Sequence, residues 1–319
     1  MKEMFHTRSS VKTSPQHKTT MKTSTLILLP AAACFLSGCV SGKIGGVNPT
    51  VQPAKLVDSG WKSSWSRNSK QLVYGKMQGA GLEVLDLRTR QAKFLMAEAK
   101  DPAWSPDGRW IAFIREESYN QYLTEEVWVM PAQGGEPRRV VAGGFPSWSA
   151  DGRRLFVHSR RNNQILAVNP SERSPQPAIF FTNAPSWYFS VSPDQTRVAF
   201  GCPGRLDIRN RATGQKVAMW PTPRDRGLLP AWSPDGRLVA FGGFDDSRLG
   251  LWVFEVATGR ARRILEGNYT MPSWNRDGRW LAFDERTDSR CIWIVGRSYI
   301  DSMLKVSDAT SVPSGEITQ

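Results

Sequence analysis

The sequence predicts an all-β chain: a six-bladed β-propeller of four-stranded antiparallel blades. Two observations carry this. One phrase recurs six times, at 63–74, 102–113, 146–157, 189–200, 230–241 and 272–283, and reads Pro-Ala-Trp-Ser-Pro-Asp-Gly-Arg-Leu-Val-Ala-Phe in its fullest form. Its anchors, Trp65, Trp104, Trp148, Val191, Trp232 and Trp274, lie 39, 44, 43, 41 and 42 residues apart, a period that fits one four-stranded blade. No long helical periodicity runs through the chain after residue 50.

Within one repeat, Pro102-Ala103-Trp104 reads as a short first strand and Ser105-Pro106-Asp107-Gly108 as a tight turn. Proline presets φ there, and glycine accepts backbone angles barred to residues with a Cβ. Trp110-Ile111-Ala112-Phe113 follows as a second strand, apolar throughout because a blade buries both faces. The third strand is Glu126-Val127-Trp128-Val129-Met130, then a turn through Gly134 and Gly135, then the outer strand Arg138-Arg139-Val140-Val141. The fifth copy repeats the plan, with Leu251-Trp252-Val253-Phe254, a turn at Ala257-Thr258-Gly259-Arg260, and Arg263-Ile264-Leu265.

The recurring aspartates, Asp107, Asp151, Asp194, Asp235 and Asp277, admit two readings: a ring of ligands, or turn formers that bond their own backbone. A residue demanded by every repeat serves the repeat, so the second is preferred, with each tryptophan wedged between adjacent blades. The fourth copy departs from the pattern. Val191 replaces tryptophan and Gln195 replaces glycine, which predicts a different turn type, and Trp187 is offered as a filler of the gap beside it.

A propeller must seal its ring or leave sheet edges open. Ala54-Lys55-Leu56-Val57 resembles the fourth-strand segments and is expected to complete the last blade, beside the strand Cys291–Val295. The competitor for that slot is Met303-Leu304-Lys305-Val306. The propeller is thus expected over 54–300, with 301–319 as a tail.

Ahead of the repeats, Lys22 precedes an apolar run from Leu26 to Leu36 and the small residues Ser37-Gly38-Cys39. This is the order of a secretory signal, and the run is too short for a permanent span. Leu36-Ser37-Gly38-Cys39 resembles the lipobox of bacterial lipoproteins. That resemblance implies cleavage before Cys39, lipidation of its sulfur and acylation of the new amine, an effectively permanent anchor. Val40 and Ser41 offer no aspartate after the cysteine, so the resemblance implies an outer-membrane protein facing the periplasm. Residues 1–38 then form the leader, with Met21 as the expected start and residues 1–20 as a start-site artefact. Residues 39–53 form a flexible tether.

The formal charge is +13, and the leader holds five lysines and arginines against Glu3, so the mature chain remains basic. The basic residues are spread over all repeats without a long run, which excludes nucleic acid as a partner. Cys202 and Cys291 fall on blades four and six, too far apart for a disulfide.

The phrase W-S-P-D-G-R-x-[IVL]-A-F resembles the repeats of TolB-type propellers, found in periplasmic TolB and in peptidases of the prolyl-oligopeptidase type. It covers about residues 54–300. The resemblance implies the fold and leaves activity open, because one scaffold hosts docking, ligand-binding and peptidase-gating roles. No G-x-S-x-G elbow is present, and after processing His158 is the remaining histidine. The chain is therefore expected not to be an enzyme, and to need no cofactor or metal.

Binding is expected at the rim that carries the loops between second and third strands. The longest, residues 115–122, offers Tyr119 and Tyr122. Arg160, Arg161, Arg205, Asp245, Asp246, Arg248 and Arg286 lie on the same rim. The expected role is a monomeric, lipid-anchored protein that docks another envelope protein. The alternatives are a small ligand or glycan in the channel mouth, and a regulatory propeller that partners a separate hydrolase.

Overall fold

The computed structural model describes residues 52–76, 81–116, 125–222, 229–243, 249–286 and 290–305. Its strands form six four-stranded antiparallel sheets, one per repeat. In blade two the strands are Ala99–Trp104, Trp110–Glu116, Glu125–Pro131 and Arg138–Ala142. The second strand is the driest: Ile111, Ala112, Phe113 and Ile114 are fully buried, as sheet-on-sheet packing on both faces demands. The equivalent Leu155–Ser159 of blade three and Trp280–Glu285 of blade six repeat this.

Ala54–Val57 pairs antiparallel with Cys291–Gly296, so the first strand of the chain is the outer strand of blade six. The competing C-terminal segment does something else. Arg297–Lys305 is an α-helix, with Ile300 buried and Tyr299, Met303 and Leu304 packed against blades five and six. A boundary at residue 300 therefore cuts through this helix. Nine residues are too few to show a helical period in sequence.

The anchor tryptophans bond from blade to blade. Trp65 Nε1 donates to the Ser273 carbonyl (2.9 Å), Trp148 to Ala103 (2.9 Å), Trp232 to Ser190 (3.1 Å) and Trp274 to Ala231 (3.2 Å). In each case the acceptor is the residue just before the neighbouring blade's anchor. Trp104 is buried but its Nε1 has no partner.

The aspartates are turn formers. Asp107 Oδ1 accepts from Ser105 Oγ (2.6 Å) and from the Arg109 amide (3.0 Å). Ser149–Asp151, Ser192–Asp194 and Ser233–Asp235 repeat the pair. In blade one Asn68 takes the same place, accepting from Ser66 Oγ and the Lys70 amide.

Two expectations for blade four are corrected. Gln195 adopts φ +60°, and its amide donates to the Ser192 carbonyl at 2.8 Å, as Gly108 does to Ser105. The turn is the same, because the Ser–Asp bonds impose it and the side chain bears the strain. Trp187 fills no gap: it is 44% exposed. Cys202 and Cys291 are buried and form no disulfide among the described residues. Among the described residues, no helix is long and apolar enough to cross a membrane.

Candidate functional site

The first strands of all six blades line an axial channel of about 420 Å³. Three residues before each anchor, at its loop-bearing end, stand Lys62, Asp101, Phe145, Tyr188, Leu229 and Met271. Four of them hold left-handed backbones: Lys62 (φ +47°), Asp101 (+54°), Phe145 (+55°) and Met271 (+51°). At each of the four the ladder slips register between first and second strands. Pro102, Pro146 and Pro272 follow three of them, and proline has no amide to give the ladder, so a bulge forms there. A bulge re-aims a side chain, and non-glycine residues at such angles cost about 1–3 kcal/mol each. Strain repeated at one level of the channel marks this mouth as the candidate site.

The mouth is polar and densely charged. Lys62 Nζ lies 3.3 Å from Asp101 Oδ2, with both side chains nearly out of solvent. The Lys62 amide donates to Asp284 Oδ2 at 2.7 Å. Asp284 is fully buried, and burial pushes its carboxyl up to about 8, although the Lys62 amide and the Arg290 charge pull the other way. Asp284 Oδ1, Asp101 Oδ1, Thr270 Oγ1 and Ser63 Oγ are buried without a hydrogen-bond partner.

An aromatic and arginine cluster adjoins this centre. The Lys62 ammonium sits 5.2 Å from the Phe145 ring centroid, and Phe145 meets Tyr188 edge-on at 4.9 Å. Burial, then the Asp101 charge, holds the Tyr188 phenol above its ordinary range. The Arg160 guanidinium lies 4.3 Å from the Trp187 centroid, and its Nη2 is 2.9 Å from Glu125 Oε2. Glu125 also faces Lys100 Nζ at 3.2 Å. Gly144 makes room for it: a Cβ there would meet Glu125 Oε2 at 2.6 Å. Opposite Gly144, His158 is fully buried, and neither ring nitrogen has a partner. Burial and the Arg160 charge push its imidazole down to about 4, so it is neutral at physiological pH.

Of the residues expected at the rim, Arg160 is central to this cluster. Arg161 is exposed beside it. Arg205 turns to its own blade, 3.6 Å from the fully buried Asp207, which Arg209 also reaches at 3.1 Å. Arg286 exchanges bonds with Asn268 through its amide and carbonyl, and its charge reaches Tyr188. Tyr119, Tyr122, Asp245, Asp246, Arg248 and Cys39 lie outside the described residues.

Sequence reasoning missed Lys62, Asp101, Phe145, Tyr188, Glu125 and Asp284. A signal exists for some. In the column holding Asp284 and His158, the other repeats carry Gly75, Ile114, Gly201 and Gly242. Residues that break a repeat are those the repeat does not require.

No known family profile matches the chain. The Bacillus subtilis (strain 168) protein named Uncharacterized peptidase YuxL is 26% identical over 145 residues, 44% of this chain and 21% of that one. Among solved structures, TolB from Acinetobacter baumannii superposes with TM-score 0.52 at 17% identity, over 64% of this chain and 53% of that one. A putative TolB from Agrobacterium tumefaciens gives 0.55 at 16%, over 75% and 90%. Hydrazine synthase from Kuenenia stuttgartiensis gives 0.56 at 17%, over 83% and 84%. The chain therefore spans about a fifth of the curated relative and about half of the Acinetobacter protein.

These likenesses overturn one expectation. The chain was expected not to be an enzyme, yet its curated relative bears a peptidase name. The absence of a G-x-S-x-G elbow speaks to one chemistry and constrains no other. What the two TolB structures share with this chain is the propeller fold, six-bladed here.

Proposed function

We propose that this protein is a lipid-anchored component of a bacterial envelope, held through Cys39 at the outer membrane, whose loop-bearing mouth docks another envelope protein. One observation carries the reading: Trp187 stands exposed at that mouth, with the Arg160 guanidinium stacked on it and Glu125 fixing Arg160 in turn. Tryptophan and arginine dominate protein–protein hot spots, and side chains already held in place lose less entropy on binding. Ala54–Val57 enters at the opposite face, running from Ile294 toward Ile292. A tether reaching that strand would leave the loop-bearing mouth turned away from the membrane.

The test is affinity capture from cross-linked cells with the native protein and an Arg160→Ala/Trp187→Ala variant. Docking requires an envelope protein that the native bait enriches and the variant loses while keeping its melting temperature. Equal capture by both baits would remove this surface from the argument. The match to a chain named a peptidase favours a second reading, a propeller that serves a peptidase. In that case the captured partner is a hydrolase.

A further inference from the structure

The other end of the channel is ringed by the residues two after each anchor: Arg67, Pro106, Ala150, Pro193, Pro234 and Arg276. Proline suits this turn position. Pro193 and Pro234 rest on the next blade's turn glycine, with Cδ 3.9 Å and 3.6 Å from the Cβ positions of Gly236 and Gly278. Blades one and six substitute arginine, and because those blades are neighbours, both guanidinium groups fall on one side of the ring.

The two cations converge. The stem of Arg67 lies on Gly108, and its Nη1 donates to the Asp107 carbonyl at 3.4 Å. Arg276 Nη1 donates to the adjacent Pro106 carbonyl. One turn of blade two thus receives an arginine from each of two other blades. Neither arginine has a carboxylate partner among the described residues, and the nearby Asp107 side chain is taken by Ser105 and Arg109. Each guanidinium carries five donors and spends one here. Among the described residues, Lys62, Arg67 and Arg276 are the ionisable side chains that line the channel, and no acidic one does. Lys62 is already matched by Asp101 at the far end. Both arginines are exposed at this mouth, and two like charges placed side by side attract an anion.

The rest of the ring is apolar, through Pro106, Ala150, Pro193 and Pro234. We infer that this mouth binds a carboxylate carried on an apolar body. Arg67 and Arg276 grip the oxygens through their paired N–H groups, as arginine does with planar anions, and the proline and alanine arc holds the body. The channel volume of about 420 Å³ falls in the range of small-molecule sites. The same chemistry is offered by the free end of a short peptide and by a small organic acid.

The probes are N-acetyl-leucyl-leucine, its C-terminal amide and 4-phenylbutyrate, read by quenching of the tryptophans that line the channel. The acid should bind saturably and the amide about ten- to a hundredfold more weakly, the scale of hydrogen bonds to a charged group. Arg67→Gln/Arg276→Gln keeps both stems and should show the same loss with an unchanged denaturation midpoint. Binding of 4-phenylbutyrate as tightly as the peptide assigns the site to small acids; peptide binding alone assigns it to a peptide end. Either result sustains the site. Equal binding of acid and amide, undiminished binding by the double variant, or no binding of any probe overturns it. So does sedimentation with phosphatidylglycerol vesicles that needs the two arginines while no soluble acid binds, since the pair is then a membrane contact.

Discussion

Trp65 Nε1 donates to the backbone carbonyl of Ser273 at 2.9 Å, across 208 positions of sequence. With the Lys62 amide bond to Asp284 Oδ2, it is one of the bonds by which blade one meets blade six near the axis. Ala54–Val57 joins the same blades at the outermost strand. The ring is therefore latched at its axis and at its rim.

Trp65→Phe removes this bond while keeping an aromatic ring. The expected loss is about 1 kcal/mol, the net worth of a typical hydrogen bond. Trp104→Phe is the control: its Nε1 has no partner, so the same change there should be neutral or stabilising. Urea melts of the two variants check the difference. Equal losses would show that indole volume, and not the bond, is what counts.

Truncating a whole anchor is more severe. Trp232 is buried and packs in the cluster with Phe241 and Trp252. Trp232→Ala should cost about 3–5 kcal/mol, as large buried aromatics do. A loss under about 1 kcal/mol by denaturant melt would count against that packing as a source of stability.

Removing residues 54–57 exposes the edge of Cys291–Gly296 and uncovers Ile292 and Ile294, which are fully buried. The melting temperature should fall by roughly 5 °C or more. An unchanged midpoint would mean that the rim latch adds nothing to stability.

Asp284 gives stability a pH dependence of definite sign. The folded carboxyl holds its proton up to about 8, against an ordinary 3.8. The stability it contributes is fully present below the ordinary value and is lost as pH rises through the folded one. Asp284→Asn cannot ionise, so its midpoint should stay flat between about pH 4 and about pH 8, where the native midpoint declines. Parallel declines in both proteins would assign the effect to other groups.

His158 acts in the opposite direction. Its folded value of about 4 lies below the ordinary 6.5. The unfolded ring accepts a proton that the folded one refuses, so stability falls as pH drops from 6.5 toward 4. His158→Leu should remove that slope and, by deleting two unpartnered nitrogens, raise the midpoint near neutrality. The turn aspartates Asp107, Asp151, Asp194 and Asp235, held below their ordinary range, weaken the fold only at still lower pH.

The repeat was legible because each of its residues has a local task. Trp148 and Trp232 reach a neighbouring carbonyl, Asp151 and Asp235 close their own turns, and Phe113 and Phe241 fill the blade. Such tasks recur with the period and leave a period in the sequence. The candidate site left none. Lys62, Asp101, Phe145 and Tyr188 come from four different blades, and the contacts between them exist only once the ring has formed.

By itself, then, the sequence determined the blade count and the strand order within each blade, since these follow from spacing and local turn chemistry. It left two candidates for the strand that closes the ring, and the tertiary structure chose Ala54–Val57. The tertiary structure alone decided which residues share a mouth. It drew Arg160 to Trp187 and brought Arg67 and Arg276 to one turn of blade two. The reason is geometric: closure around an axis makes neighbours of residues up to about two hundred positions apart, and those pairings have no period to read.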